Sequence, residues 1–276
     1  MNTWRFLNTG PRDGYQNMAI DEVLATKSVP HDNRSIFRIY QWQPYAISLG
    51  YNQEPEDLNL ARCKDHKIDI VRRPTGGRAV LHAEEVTYSI IIPRESEFYS
   101  SDVLTTYNLI NKGILKGLHL IGVKAELVER ALDDTEKKSS SNKDKVPCFS
   151  KSAKFEIAFQ GKKLVGSAQR RYEKSILQHG SILVGTFHLR LADYVAALKG
   201  PQVEKFRQAL AEKTISISQI LSKKINYDKI IWAIKTGFQQ CFDIYFFEGQ
   251  LTPQENAEVQ KLVKKYQKLG GMKHEN

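Results

Sequence analysis

The order of predicted strands and helices limits the fold of this chain more than any other feature of its sequence. Between residues 31 and 184, most apolar segments are short and separated by glycine or proline, as is typical of strands. Beyond Leu189, apolar residues recur at helical spacing almost to the end of the chain. A strand-rich centre followed by a helical C-terminal third indicates an α+β fold, with a central sheet flanked by helices.

The individual segments follow from spacing and from turn residues. Strands are predicted at 36–40, 45–51, 69–72, 86–92, 155–159, 163–170, 176–184 and 241–246. Helices are predicted at 14–27, 55–66, 102–120, 191–198, 203–211, 218–221, 227–241 and 253–269. Gln160-Gly161-Lys162 predicts a tight hairpin turn. The polar segment 133–145 predicts a mobile surface loop.

Composition limits the class of protein. The chain has 276 residues and three cysteines, which are too few and too scattered for a disulfide scaffold or a zinc site and suit a reducing compartment. The N-terminus lacks the pattern of a secretory signal. The uncharged stretch 175–189 is too polar to span a bilayer. We therefore expect a cytoplasmic protein without a metal and without a membrane partner.

Positive charge is concentrated in the middle of the sequence. Lys+Arg exceed Asp+Glu by 41 to 31 overall, and residues 112–175 hold 15 basic against 8 acidic residues. Such a region either attracts polyanions or acidic proteins, or is an ordinary solvated surface. Zinc-finger spacing, a basic region leading into heptads and an aromatic RNA-binding signature are all absent from the sequence, so a nucleic-acid partner is not expected.

The segment 72–82 carries the densest chemical signal. Gly76 and Gly77 follow a predicted strand, where adjacent glycines let the backbone approach a ligand and present N–H groups to oxygen atoms. Arg72, Arg73 and Arg78 are able to pair with a phosphate or carboxylate. The alternative is a plain glycine turn between two strands. The segment is not a P-loop, because G-x-x-x-x-G-K-[ST] is absent.

A lysine in a predicted strand is the second signal. Strand alternation would place Lys163, Val165 and Ser167 on one face, and Leu164, Gly166 and Ala168 on the other. A strand lysine beside small residues is able to sit in a cleft with its ammonium near a reacting centre. The alternative is an exposed strand lysine.

Cys148 and two histidines complete the candidates. Cys148 follows a lysine-rich segment, and nearby positive charge lowers the pKa of a thiol and raises its nucleophilic thiolate fraction. A lone cysteine is more often a small core residue, which is the interpretation for Cys63 and Cys241. His179 and His82 are candidate binders or proton donors, or structural histidines, and the structural interpretation is favoured for His82. The sequence reveals no Ser–His–Asp triad.

Four regions together carry a family resemblance. They are residues 17–22, residues 38–42 with 47–53, residues 72–82, and residues 161–169 with 178–181. Taken together they resemble the biotin/lipoate protein ligase and acyltransferase superfamily. Pro147-Cys148-Phe149, the segments 167–171 and 176–183, and the tail segments 215–218 and 249–253 are most similar to its cysteine–lysine octanoyltransferases. The lysine- and serine-rich insert before Cys148 departs from the family pattern.

The resemblance implies a ligase-like catalytic domain over residues 1–246, with its core at about 31–246, and a helical extension over 247–276. It implies that Cys148 and Lys163 are catalytic, and that no cofactor takes part. The implied substrate-binding residues are Arg73, Gly76, Gly77, His82, Gly166, Ser167, Ala168 and His179. The implied donor is octanoyl-acyl carrier protein, the acceptor is a lipoyl-domain protein such as the glycine-cleavage H protein, and a monomer is expected.

Three other functions fit parts of the sequence. An ATP-dependent lipoate–protein ligase would bind an acyl-adenylate with Lys163 and would not need Cys148. An amidotransferase would move octanoyl from the H protein to other lipoyl domains. A basic nucleic-acid-binding protein would leave the glycine turn and the pairing of Cys148 with Lys163 without a role.

Overall fold

The computed structural model describes residues 2–129 and 155–269. The strands are β1 (Asn2–Arg12), β2 (Ile36–Trp42), β3 (Ala46–Leu49), β4 (Asp69–Arg72), β5 (Val80–His82), β6 (Glu85–Pro93), β7 (Glu126–Glu129), β8 (Phe155–Phe159), β9 (Lys162–Arg171), β10 (Ser175–Leu183) and β11 (Ile244–Glu248). The helices are α1 (Gly14–Val23), α2 (Val29–Asp32), α3 (Leu60–Asp65), α4 (Val103–Leu120), α5 (Pro201–Lys213), α6 (Ile217–Leu221), α7 (Tyr227–Phe242) and α8 (Pro253–Leu269).

These strands form two sheets. The large sheet has eight strands in the order β11-β1-β2-β6-β10-β9-β8-β7, and the small sheet has the order β4-β3-β5. In the large sheet β11, β1 and β2 run parallel, and the pairs from β2 to β7 are antiparallel. The predicted α+β class is confirmed. The predicted division at residue 246 stays a prediction, although α8 packs back on α1.

The strand β1 was not predicted, although it lies inside the large sheet between β11 and β2. Only four consecutive residues of the strand, Trp4 to Leu7, are buried, and polar residues on both sides hide the signal. A register shift between Asn8 and Gly10 further breaks its alternation. Tertiary pairing on both edges, rather than local pattern, therefore determines this strand.

Two glycines that weakened the prediction of α4 are explained by its packing on α7. A Cβ on Gly113 would lie 2.8 Å from the Phe238 ring, and one on Gly117 would lie 2.5 Å from Cα of Ile234. Gly237 of α7 faces the same contact, since its Cβ would lie 2.3 Å from N of Gly117. The glycines permit a close helix crossing that outweighs their low helix propensity.

Two further turn regions test the predictions. Gln160 and Gly161 both have positive φ, 49° and 75°, which confirms the tight hairpin between β8 and β9. The segment Phe187–Tyr194 forms a 3₁₀ helix and residue 195 is extended, so the helix predicted at 191–198 is wrong. The predicted loop 133–145 lies outside the described residues.

His188, in this 3₁₀ segment, makes stability depend on pH. Its side chain contacts the Thr214 hydroxyl at 2.9 Å, and burial lowers its pKa from 6.5 to about 4. Below pH 6.5 the unfolded chain therefore binds a proton at this residue that the folded chain does not bind until about pH 4. Proton binding to the unfolded chain therefore lowers the free energy of unfolding as the pH falls from 6.5 toward 4. Above pH 6.5 neither state binds this proton, and the full free energy of unfolding is present.

We expect His188→Gln to reduce the pH dependence of unfolding. A pKa difference of this size corresponds to roughly 3 kcal/mol. The free energy of unfolding, measured in urea at pH 7 and at pH 4, falls between these two pH values. We expect this fall to be smaller in the variant than in the unaltered protein by about 3 kcal/mol. An equal loss in both proteins would contradict this role of His188.

Candidate functional site

A cavity lies between the two sheets, under α1. The facing side chains of the large sheet come from β2, β6, β10 and β9, and those of the small sheet come from β3 and β5. Its walls combine apolar side chains, such as Met18 and Trp42, with converging polar side chains, such as Lys163 and His179. A mostly apolar pocket with a few converging polar groups is the usual character of a small-molecule site. The cavity is therefore the candidate active site.

A β-bulge turns Lys163 toward this cavity. Ile157 on β8 pairs with Val165, whereas the next residue, Ala158, pairs with Lys163, so β9 contains one extra residue between these pairs. Leu164 and Val165 both lie in the hydrophobic core, and Lys163 lines the cavity. The alternation predicted for this strand is therefore wrong at Lys163, because a bulge shifts the side-chain period and re-aims a residue.

The Lys163 ammonium forms a buried ion pair. Its Nζ donates to Oε1 of Glu156 at 2.5 Å, and the two side chains are 6% and 2% exposed. The alternative of an exposed strand lysine is excluded by this burial. Glu156 was not found from the sequence, since a single glutamate in a short strand carries no signal of its own. The one sequence signal for Glu156 was its position in the predicted strand 155–159, which the predicted hairpin joins to the strand of Lys163.

Most of the predicted substrate-binding residues meet at the cavity. Its lining includes Arg73, His82, Gly166, Ser167, Ala168 and His179. Gly76 and Gly77 lie in an exposed turn outside the lining. The lining also contains residues that were not singled out: Met18, Tyr40, Trp42, Ser48, Val80, Thr87, Gly180 and Ser181. All of these except Thr87 belong to the segments that carry the family resemblance.

Arg73 holds the glycine turn in place. Its guanidinium donates to the backbone carbonyls of Gly76 and Arg78, both at 2.8 Å, and to the carbonyl of Ser48 at 2.9 Å. Gly77 has a φ of 95°, and its carbonyl lies where a Cβ on Gly50 would fall, at 1.8 Å. The turn therefore requires glycine both at position 77, for its positive φ, and at position 50, for the close contact.

His179 lies at the centre of a buried polar chain. Its Nδ1 is 3.2 Å from Oδ2 of Asp21, and its Nε2 is 2.7 Å from the Thr75 hydroxyl. Asp21 also binds Arg38 at 2.6 Å, with both side chains fully buried. Because a carboxylate only accepts, Nδ1 of His179 donates to Asp21 and Nε2 accepts from Thr75.

Burial and charge set the ionisation of this chain. Burial lowers the pKa of His179 and outweighs the opposing effect of Asp21, so the imidazole is neutral at pH 7. Burial alone would raise the pKa of Asp21, but the Arg38 guanidinium and the hydrogen bonds from His179 and Ser89 hold it below its usual value. Asp21 thus stays an anion that fixes the orientation of His179.

His82 lies in a second chain of the same kind. Its Nε2 is 2.8 Å from the Ser48 hydroxyl, and its Nδ1 is 2.8 Å from Oε1 of Glu85. The Trp42 ring stacks on the imidazole at 4.0 Å between centroids. Such hydroxyl–imidazole–carboxylate chains were not identifiable from the sequence, because members such as Ser48 and His82 lie on different strands. Both histidines therefore form a rigid polar wall.

The cysteines divide into three cases. Cys148 lies outside the described residues. Cys63 is fully buried, and burial raises the pKa of its thiol to about 12, which confirms its packing role. Cys241 is exposed, so its prediction as a packing residue is wrong; it lies in the last turn of α7, with its Sγ 3.7 Å from the backbone carbonyl of Lys112 on α4.

The described residues lack two kinds of feature. Within residues 2–129 and 155–269, no group of histidine, cysteine, aspartate and glutamate side chains is arranged to hold a metal ion. Across the same ranges, none of the helices combines the length and the apolar character needed to cross a membrane.

Comparison with known proteins defines the class. Residues 13–239 match the family model of the lipoyl protein ligase A/B catalytic domain. The octanoyltransferase LipM of Clostridioides difficile is 36% identical over 268 residues, covering 96% of this chain and 97% of that protein. The octanoyltransferase LipM of Exiguobacterium sp. is 33% identical over 266 residues, covering 96% of each.

Solved structures support the fold. The bipartite lipoate protein ligase of Thermoplasma acidophilum has a TM-score of 0.77 and 21% identity, covering 96% of this chain and 93% of that one. A lipoate-protein ligase A bound with ATP has a TM-score of 0.72 and 23% identity, covering 96% of this chain and 95% of that one.

The chain therefore belongs to the lipoyl protein ligase A/B catalytic domain family. Within this family it is an acyltransferase, of the octanoyltransferase type. The resemblance described from the sequence is confirmed.

Proposed function

We propose that this chain transfers an octanoyl group from octanoyl-acyl carrier protein to a lysine of a lipoyl-domain protein, such as the glycine-cleavage H protein, for lipoate biosynthesis. Transfer proceeds through a thioester on Cys148. The observation that carries the proposal is the buried ammonium of Lys163 on the wall of the cavity. Only six residues, 149–154, separate Cys148 in sequence from Phe155 at the start of β8, the strand that pairs with β9.

The cavity has the chemistry of an acyl-binding site. Met18, Tyr40, Trp42 and Val80 give it apolar surface, and removing the apolar chain from water there favours binding. Gly166, Ser167 and Ala168 keep the strand beside Lys163 free of bulky side chains. We propose that the octanoyl chain crosses the strands from Lys163 toward α1.

The first step loads the enzyme. The Cys148 thiolate, stabilised by the Lys163 ammonium, attacks the carbonyl carbon of the donor thioester. A carbon–sulfur bond forms to Cys148, and the carbon–sulfur bond to the carrier breaks. The carrier leaves as a thiolate and takes a proton from solvent.

The second step unloads the enzyme. The acceptor lysine, deprotonated, attacks the carbonyl carbon of the acyl-enzyme, and a carbon–nitrogen bond replaces the carbon–sulfur bond. Cys148 leaves as a thiolate, which the Lys163 ammonium again stabilises. One of the two protons of the attacking amine passes to solvent, and the other stays on the amide nitrogen. An amide is more stable than a thioester, so neither step needs ATP.

ATP independence is the test of this proposal. Purified protein, octanoyl-acyl carrier protein and an apo lipoyl domain should give octanoylated lipoyl domain without ATP, as measured by intact mass. Free octanoate with ATP should give none. A product formed only from octanoate and ATP would identify a ligase instead. A product formed from octanoylated H protein but not from the carrier would identify an amidotransferase.

A further inference from the structure

The ion pair between Lys163 and Glu156 is the best-defined polar contact of the cavity wall that the proposed reaction does not use. Its two atoms lie 2.5 Å apart, and both side chains are more than nine-tenths buried. Glu156 itself is absent from the cavity lining, whereas Lys163 belongs to it. The ion pair therefore joins a residue of the cavity wall to a carboxylate that does not itself line the cavity.

The strand register brings these two groups together. Lys163 pairs with Ala158 across β8 and β9, so their side chains point to the same face of the sheet. Glu156 is two residues from Ala158 along β8, and alternation places it on that face as well. Without the bulge in β9, Lys163 would lie on the opposite face. The bulge thus places Lys163 on the face of the sheet where Glu156 is able to pair with it.

Charge explains why a carboxylate is needed at this position. A buried ammonium is stable only when it is paired and hydrogen-bonded. A neutral partner would satisfy one N–H group but would leave the charge uncompensated. An ammonium has three N–H donors, so its bond to Glu156 is compatible with a second bond toward a sulfur or a carbonyl oxygen in the cavity.

We propose that Glu156 is a positioning residue, which keeps Lys163 charged and pointed at the reacting sulfur. This inference rests on the proposed function, because it assumes that Lys163 takes part in acyl transfer. Glu156 does not touch the substrate, and it acts through Lys163. Its loss should therefore slow the chemical steps and leave the binding of donor and acceptor unchanged.

The test compares three variants by steady-state octanoyl transfer, at a temperature below the melting temperature of each. Glu156→Gln removes the charge at nearly constant size, Glu156→Asp retains it, and Glu126→Gln alters an exposed glutamate on the neighbouring strand. We expect Glu156→Gln to lower kcat by roughly 10- to 100-fold, since small misplacements of catalytic groups have effects of this size. KM should stay within about twofold. Glu156→Asp should regain part of kcat, and Glu126→Gln should match the unaltered protein.

The outcomes separate this inference from the proposed function. Glu156→Gln with a lower melting temperature but an unchanged kcat would make the pair purely structural and would overturn the inference. Glu156→Asp no more active than Glu156→Gln would contradict the role of charge. A fully active Lys163→Met would overturn the catalytic role of Lys163 and with it this inference, while octanoyl transfer itself would stand. Failure of the unaltered protein to use the octanoyl carrier without ATP would instead overturn the proposed function.

Discussion

Replacing Cys148 by alanine is expected to reduce octanoyl transfer by about 10⁴-fold or more. The proposed reaction divides one transfer into two thioester steps, and both require the sulfur of Cys148. Removing the nucleophile of a covalent mechanism leaves only the rate that binding and positioning provide. The measurement is the initial rate of octanoylation of an apo lipoyl domain, followed by intact mass.

Cys241→Ser is the matched control for this variant. Cys241 is the exposed cysteine of the described residues, so its replacement should leave both the fold and the transfer rate unchanged. Full activity of Cys148→Ala with the octanoyl carrier would contradict the thioester mechanism. Full activity that also required ATP would favour the ligase.

Replacing Lys163 by methionine is expected to slow transfer by about 10²- to 10³-fold, the usual effect of removing one group that stabilises charge in an active site. Methionine nearly keeps the length of the side chain but removes the charge that we propose stabilises the thiolate. It also removes the ammonium that contacts the buried Glu156 carboxylate, and breaking a buried ion pair in this way should lower the unfolding free energy by about 3–5 kcal/mol.

The combined variant Lys163→Met with Glu156→Gln separates these two effects. Neutralising the carboxylate that has lost this ammonium should restore much of the unfolding free energy measured in urea, while octanoyl transfer should stay as slow as in Lys163→Met. If stability and activity returned together, the loss of activity in Lys163→Met would be a consequence of misfolding. Such a result would remove the catalytic role of Lys163.

The parts of the fold that were predicted correctly depend on local sequence. The hairpin at Gln160-Gly161 follows from a glycine, whose positive φ has no steric cost, and α8 follows from helical spacing. The strand β1 does not follow from local sequence, because only Trp4 to Leu7 are buried and the neighbouring strands β11 and β2 supply the pairing. Contacts between distant segments override weak local patterns.

The candidate site was predicted in part for the same reason. Lys163, Arg73 and His179 lie in recognisable segments, and the structure brings them to one cavity. The bulge that aims Lys163 is a difference in register between two strands, which a single strand does not encode. The roles of Glu156 and Asp21 were not predicted, because each role depends on a contact with a residue of another element. Asp21, for example, contacts His179, which lies 158 positions later in the sequence.

The most direct test of the account is the intact mass of the protein after brief exposure to octanoyl-acyl carrier protein without an acceptor. We predict a single added octanoyl group that hydroxylamine removes, that maps to the peptide containing Cys148, and that an apo lipoyl domain discharges. Rapid transfer without any such adduct, or a hydroxylamine-labile adduct that persists in Cys148→Ala, would contradict it.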